Sequence, residues 1–214
     1  MTTAAPLDPA TERLLVERCG VSRETLPRLE AYAAALAKWQ PAINLVAPAT
    51  LPDLWRRHIL DSAQLWPLLP AGTASLVDFG SGAGFPGLVL AILGVPQVTL
   101  IESDTRKAAF LREAARAAGV AVTVEAKRIE AVPPRPADAV SARALAALSA
   151  LLPHAAAWLK PGGIALFPKG KTAEDELTAA GKDWTMQVER VPSLTDAAAT
   201  ILRIGGIAKG PLRA

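Results

Sequence analysis

From Leu76 to Ala91 the chain reads LVDFGSGAGFPGLVLA. The apolar run around Asp78 fits a buried strand. Gly80, Gly82 and Gly84 follow at alternate positions, then Phe85, Pro86 and Gly87, then a helix-compatible apolar run. Strand, glycine turn and helix in this order let a backbone come close to a nucleotide-like ligand, because glycine has no Cβ to collide with it. Pro86 fits the first turn of the helix, where a missing N–H costs nothing.

Two ligands satisfy the pattern. Gly82, Gly84 and Gly87 formally match the G-x-G-x-x-G of dinucleotide sites. Asp78, two residues before the first glycine, suits a cationic cofactor such as S-adenosylmethionine better than a pyrophosphate. With Gly80, Gly82 and Gly84 it resembles the D-x-G-x-G-x-G loop of Rossmann-like methyltransferases.

The rest of the chain is consistent with one globular unit. Its 214 residues are 51% hydrophobic and 20% charged, with a single cysteine, Cys19, which cannot form an internal disulfide. No apolar run is long enough to cross a membrane; the best, Leu88 to Val95, is interrupted by Gly94 and followed by Pro96. The opening MTTAAPLDPA lacks the pattern of a secretory signal, so a soluble cytoplasmic protein is expected. Net charge is +3: residues 1–70 carry 7 basic and 7 acidic side chains, and the remainder 16 and 13.

Periodicity divides the chain at about residue 70. Before it, helices are expected from Asp8-Pro9 to Cys19, from Glu24 to Gln40 with Ser22 as a cap, and from a capping-box-like Thr50-x-x-Asp53 toward Leu65. After it, strands are expected at Leu76–Phe79, Val98–Ile101, Ala121–Glu125, Ala139–Ala142 and Ile164–Phe167. Helices are expected at Pro86–Leu93, Thr105–Ala118, Ala146–Leu159 and Thr172–Ala180. Such alternation implies an α/β fold with a doubly wound parallel sheet. Thr185–Val191 and Thr200–Ile207 lie too close in sequence for a parallel crossover and should pair antiparallel. The expected architecture is a Rossmann-like methyltransferase core (71–214), mostly parallel with an antiparallel last strand, carrying an N-terminal helical extension (1–70) within one compact domain.

In such sheets ligands bind beyond the carboxyl ends of the strands. Those ends carry Glu102, placed to accept ribose hydroxyls. They also carry the basic residues Arg106, Lys107, Lys127, Arg128, Arg143, Lys169 and Lys171, which suit an anionic substrate. The fourth strand ends in Val140-Ser141-Ala142-Arg143, without the Asn/Asp-Pro-Pro-aromatic turn that grips an exocyclic amine. Cys19 lies in the helical segment, which disfavours thiolate attack on a pyrimidine ring. His58 and His154 lack metal-ligand spacing, so no metal is expected. What remains is a methyl acceptor that is already nucleophilic.

Asn44-Leu45, Arg57-His-Ile-Leu-Asp61-Ser62, Asp78-Phe-Gly-Ser-Gly-Ala-Gly-Phe-Pro-Gly87, Arg106-Lys107-x-x-Phe110-Leu111, Ser141-Ala-Arg143-Ala144 and Pro168-Lys169-Gly170 occur in this order. Together they resemble the bacterial small-subunit rRNA (guanine-N7-)-methyltransferases, the RsmG family once called glucose-inhibited division protein B, from about residue 25 to residue 207. The resemblance implies S-adenosylmethionine as cofactor and guanine 527 of 16S rRNA, in the family's usual numbering, as acceptor, on naked rRNA or the small ribosomal subunit. Gly80 and Phe85 would contact the cofactor, with Ile129 and Glu130 bordering the adenine. Arg143 would stand between cofactor and RNA, and Arg128 and Lys169 would hold the guanosine or its phosphates. His58 and Asp61 read equally as a structural hydrogen-bonded pair or as direct participants. Phe167-Pro168 before Lys169, and Asp196-Ala-Ala-Ala-Thr200 without a basic residue, depart from the family pattern.

Guanine N7 bears a free lone pair at neutral pH, so attack on a sulfonium methyl needs no general base, only in-line positioning. A carboxylate beside the acceptor, Glu130 or Asp78, would favour the cationic product. An NAD-linked oxidoreductase and a non-catalytic RNA-binding module on the same fold are the alternatives. A monomer is expected.

Overall fold

Helix α1 (Pro9–Cys19) begins where the Asp8 side chain accepts the backbone N–H groups of Ala10 and Thr11 at 3.1 and 3.0 Å, and it ends at left-handed Gly20. The structure, a computed structural model, describes residues 6–210. The expectation drawn from the opening ten residues therefore falls partly on residues 1–5, outside the described ones. Helix α2 (Leu26–Trp39) starts after the expected Glu24, because Ser22 closes a turn on the Thr25 N–H instead of capping the helix.

The single helix expected from Thr50 toward Leu65 is not formed. Pro48–Asp53 is a 3-10 turn, Trp55–Leu60 a π-helical turn, and only Asp61–Ala63 (α3) is α-helical. Pro48 and Pro52 supply no N–H to an i→i−4 ladder. The Thr50 hydroxyl donates to the Ala47 carbonyl at 2.8 Å rather than capping. The wide turn carries Arg57 and His58, and a π turn of this kind often marks a functional position.

From Ser75 onward the expected alternation is realised. The strands are β1 (Ser75–Phe79), β2 (Gln97–Ile101), β3 (Thr123–Glu125), β4 (Ala137–Ala142), β5 (Leu159–Lys169), β6 (Trp184–Pro192) and β7 (Thr200–Lys209). Helices α4 (Gly87–Leu93), α5 (Thr105–Ala117), α6 (Leu148–Trp158) and α7 (Ala173–Ala180) intervene. The sheet runs β3-β2-β1-β4-β5-β7-β6, with β1 to β5 parallel and β7 antiparallel to both its neighbours. Strand β5 begins earlier than expected. Its register shifts so that Leu159 pairs with Ala137 and Ile164 with Ala139, leaving Lys160 to Gly163 as a bulge.

Strand alternation sends β1 side chains to two cores. Leu76 joins one core with Leu15, Leu36, Leu88, Leu100 and Phe110, whereas Val77 and Phe79 join the other with Leu152, Trp158, Phe167 and Leu202. The N-terminal helices thus complete one face of the sheet. Each fully buried large side chain there contributes about 1.5–3 kcal/mol. Tyr32 on α2 is fully buried, 5.4 Å from the Phe85 ring, and its hydroxyl donates to the Ala83 carbonyl. That bond ties the helical segment to the glycine turn. Among the described residues no helix is long and apolar enough to cross a membrane.

Candidate active site

The turn after β1 takes its shape from three glycines with positive φ: Gly80 at 64°, Gly82 at 55° and Gly84 at 97°. Gly82 faces open space: a Cβ built on it meets nothing nearer than the Gly80 carbonyl at 3.8 Å. Gly87 serves packing instead, since a Cβ there would lie 2.5 Å from the Asp78 Cβ, so α4 rests directly on β1. Pro86 precedes the first residue of α4, and the Phe85–Pro86 peptide is cis.

Asp78 lies beneath this turn, fully buried. Its Oδ1 accepts the Ser141 hydroxyl at 2.6 Å, and its Oδ2 is the buried side-chain oxygen without a partner among the described residues. Burial raises its pKa to about 6, against the lowering effect of the Ser141 hydrogen bond. Glu102, also buried, holds the turn from the side: Oε2 accepts the Gly82 N–H at 2.8 Å and Oε1 the Asp104 N–H at 2.7 Å. Each oxygen keeps a second lone pair for a hydroxyl donor.

Among the described residues, two neighbouring clefts at the carboxyl edge of the sheet share part of their walls. The smaller, about 210 Å³, is lined by Gly80, Lys127, Arg128, Ile129, Glu130 and Leu145, among others. The larger, about 850 Å³, is lined by Asp53, Arg57, Asp61, Arg143, Lys169 and Asp196, among others. Leu145 and Ala146 line both. Leu145 drapes over the glycine turn, its Cδ1 only 2.5 Å from where a Gly80 Cβ would sit, yet it is 45% exposed. The residue before it, Ala144, has φ 51°, a strained value for any residue with a Cβ.

Arg143 is the best-held cation of the site. Its Nη1 reaches the Asp61 carboxylate at 3.2 Å and the Arg57 carbonyl at 3.3 Å, its Nη2 reaches His58 Nδ1 at 3.0 Å, and its guanidinium lies 4.9 Å above the Phe85 ring centre. His58 stacks on the same ring at 5.1 Å. Burial, then Arg143 and Arg57, push the imidazole pKa down to about 4. Asp61 also accepts Gln64 at 2.9 Å and Thr195 at 2.7 Å. His58 and Asp61 are therefore not each other's partners; both serve Arg143. Phe85 is buried beneath them and lines neither cleft.

The basic rim is not one groove. Lys169 is nearly buried and donates to Glu176 Oε2 and the Ala146 carbonyl at 2.7 and 2.8 Å. Glu176 in turn accepts the Leu148 N–H at the start of α6. Arg106 and Lys107 line a separate hollow of about 370 Å³ with Pro41 to Asn44. Lys171 is exposed. Leu145, Glu176 and Thr195 carry no sequence signal, Thr195 lying in a stretch without any motif, and Thr50, expected as a helix cap, meets His58 Nε2 at 2.9 Å instead. Among the described residues no His, Cys, Asp or Glu cluster of metal-binding size is assembled.

This sheet order, with a glycine turn after β1 and its clefts at the carboxyl edge, is the Rossmann-like fold of the class I methyltransferases. A ribosomal protein L11 methylase from Lactobacillus delbrueckii subsp. bulgaricus shares the fold, with TM-score 0.58, 16% identity, and coverage of 70% of this chain and 78% of that one. Residues 25–202 match the family described as rRNA small subunit methyltransferase G, and the chain belongs to it. Proteins named ribosomal RNA small subunit methyltransferase G are 68% identical in Rhodospirillum centenum, covering 88% of each chain, and 58% identical in Paramagnetospirillum magneticum, covering 92% of this chain and 96% of that one. The chain is a methyltransferase of ribosomal RNA, and the oxidoreductase reading of the G-x-G-x-x-G match is set aside.

Proposed function

We propose that the chain transfers a methyl group from S-adenosylmethionine to N7 of a guanine in 16S rRNA, acting as a monomer in the cytoplasm. The observation that carries this reading is the pair of clefts that share Leu145 and Ala146. One cleft offers a nucleoside-sized recess beside the glycine turn, and the other a larger mouth with a fixed guanidinium. The residues fit the cofactor: Gly82 leaves space for a close approach, Ile129 supplies an apolar wall, and Glu102 retains lone pairs for ribose hydroxyls. S-Adenosylmethionine supplies an electrophilic methyl group.

The protein's own task is then orientation. No proton has to leave guanine N7 before attack, so neither histidine is needed as a base. Arg143 lines the larger cleft, and with Arg128 lining the smaller it would hold carbonyl or phosphate oxygens of the nucleotide. Ile129 and Glu130 would border the adenine. Asp78, buried below the turn, would act on the cofactor's cationic end through its free oxygen. Glu130, 67% exposed and 3.9 Å from His154, lines the smaller cleft, whereas Asp53, Asp61 and Asp196 line the larger one, where the acceptor would lie.

Purified protein incubated with methyl-labelled S-adenosylmethionine and either 16S rRNA or small subunits tests the reading. The label should appear at a single guanine that becomes sensitive to reductive strand scission, the signature of N7 methylation. Label on another base or atom, or none on either substrate, would contradict it.

A further inference from the structure

We propose that His58, neutral and protonated on Nε2, is a positioning residue that fixes the orientation of the Arg143 guanidinium through its Nδ1 lone pair. The inference rests on the methyltransferase reading of the site but concerns a residue that never touches the reacting atoms.

The hydrogen bonds themselves assign the proton. Arg143 Nη2 lies 3.0 Å from His58 Nδ1. A guanidinium only donates and does not lose its proton, so Nδ1 must accept. On the opposite side Nε2 is 2.9 Å from the Thr50 hydroxyl. That hydroxyl spends its own proton on the Ala47 carbonyl at 2.8 Å, so Nε2 must donate to it. The chain of donors therefore runs from Arg143 to His58, to Thr50, to Ala47, with one direction throughout. Neither the other tautomer nor an imidazolium satisfies it, because each would put an N–H against the guanidinium.

Geometry gives the arrangement its rigidity. The imidazole stacks on Phe85 with an interplanar angle of 24°, and the same ring lies under the guanidinium. Asp61 and the Arg57 carbonyl hold Nη1, so the fork is gripped at both terminal nitrogens. Three of a guanidinium's five N–H donors are used, and the remaining two have no partner among the described residues. Those two are free for ligand oxygens in a fixed plane. The π turn is what brings an imidazole from residue 58 to an arginine at the end of β4.

Two substitutions separate the two nitrogens. In His58→Asn the amide oxygen replaces Nδ1 and can still accept from Arg143. In His58→Gln the longer amide reaches the Nε2 position and keeps only the Thr50 side. With folding checked by melting, His58→Asn should retain kcat within about threefold of the parent. His58→Gln should lose about tenfold or more, the cost of one hydrogen bond to a charged group. Equal kcat in the two variants, retained or lost, would overturn the proposal. Imidazole 15N shifts of the unliganded parent give a second readout that needs no substrate. They should show a neutral ring protonated on Nε2 from about pH 8 to pH 5. A proton on Nδ1, or titration near the ordinary histidine value, would overturn the proposal even in an active enzyme. Absence of rRNA methylation by a parent with the expected shifts would instead sink the functional reading.

Discussion

At the scale of single residues, the site combines open space with imposed strain. Gly82 has a left-handed φ and nothing within 3.4 Å of its missing Cβ. Gly82→Val should therefore fold, at a cost of about 1–3 kcal/mol for a β-branched residue in that conformation, yet lose S-adenosylmethionine binding in calorimetry. Unchanged affinity in the folded variant would move the cofactor elsewhere. Ala144 shows the converse, a residue with a Cβ held at φ 51°. Ala144→Gly should raise stability by up to about 1 kcal/mol, relief of strain outweighing the added backbone freedom; a lower melting temperature would contradict this. Arg143→Lys keeps a charge but loses the planar fork gripped by Asp61, Arg57 and His58. Its kcat should fall about 10–100-fold while the melting temperature changes little.

At the scale of elements, three segments distant in sequence meet at Asp61. The π turn supplies Arg57 and His58, the end of β4 supplies Arg143, and the loop between β6 and β7 supplies Thr195, bound to Asp61 at 2.7 Å. The strand ends were legible because glycine, proline and apolar runs punctuate them locally. The 50–65 segment was not. Its apolar spacing suited a helix, but Pro48 and Pro52 remove the donors an α-helix needs, and the π turn follows. Nor could the role of His58 be read, since its partner stands 85 positions away and only the fold joins them. The same holds for Lys169, which reads as a free phosphate ligand but is committed to Glu176. We predict that Lys169→Met destabilises the protein by about 3 kcal/mol, the cost of stranding a part-buried carboxylate, with little change in the salt dependence of RNA binding. For the exposed Lys171 the expectation reverses: Lys171→Ala should leave stability alone and flatten the log affinity against log salt slope by a little under about one unit. A parent-like slope would make Lys171 plain solvated surface.

At the scale of the whole molecule, two buried groups tie stability to pH with opposite signs. Burial raises the folded pKa of Asp78 to about 6 from 3.8, so between these values the folded state holds the extra proton and stability falls as pH rises. Burial, with Arg143 and Arg57, lowers His58 to about 4 from 6.5, so there the unfolded state holds the extra proton and stability falls as pH drops. In the parent the two trends offset each other between about pH 4 and pH 6. Asp78→Asn should unmask the histidine and make denaturation midpoints climb with pH across that window. His58→Asn should unmask the aspartate and make them decline. Parallel profiles for all three proteins would mean that neither group titrates as its burial requires.

Methylation of guanine N7 in 16S rRNA can be read by mass spectrometry of nuclease-digested rRNA from a strain lacking the gene, before and after complementation. One oligonucleotide should lose the mass of a methyl group in the deletion strain. It should regain that methyl, as 7-methylguanosine, with the parent gene, and regain little with Arg143→Lys. A full complement of 7-methylguanosine in the deletion strain, or a methyl lost from any other base, would contradict it.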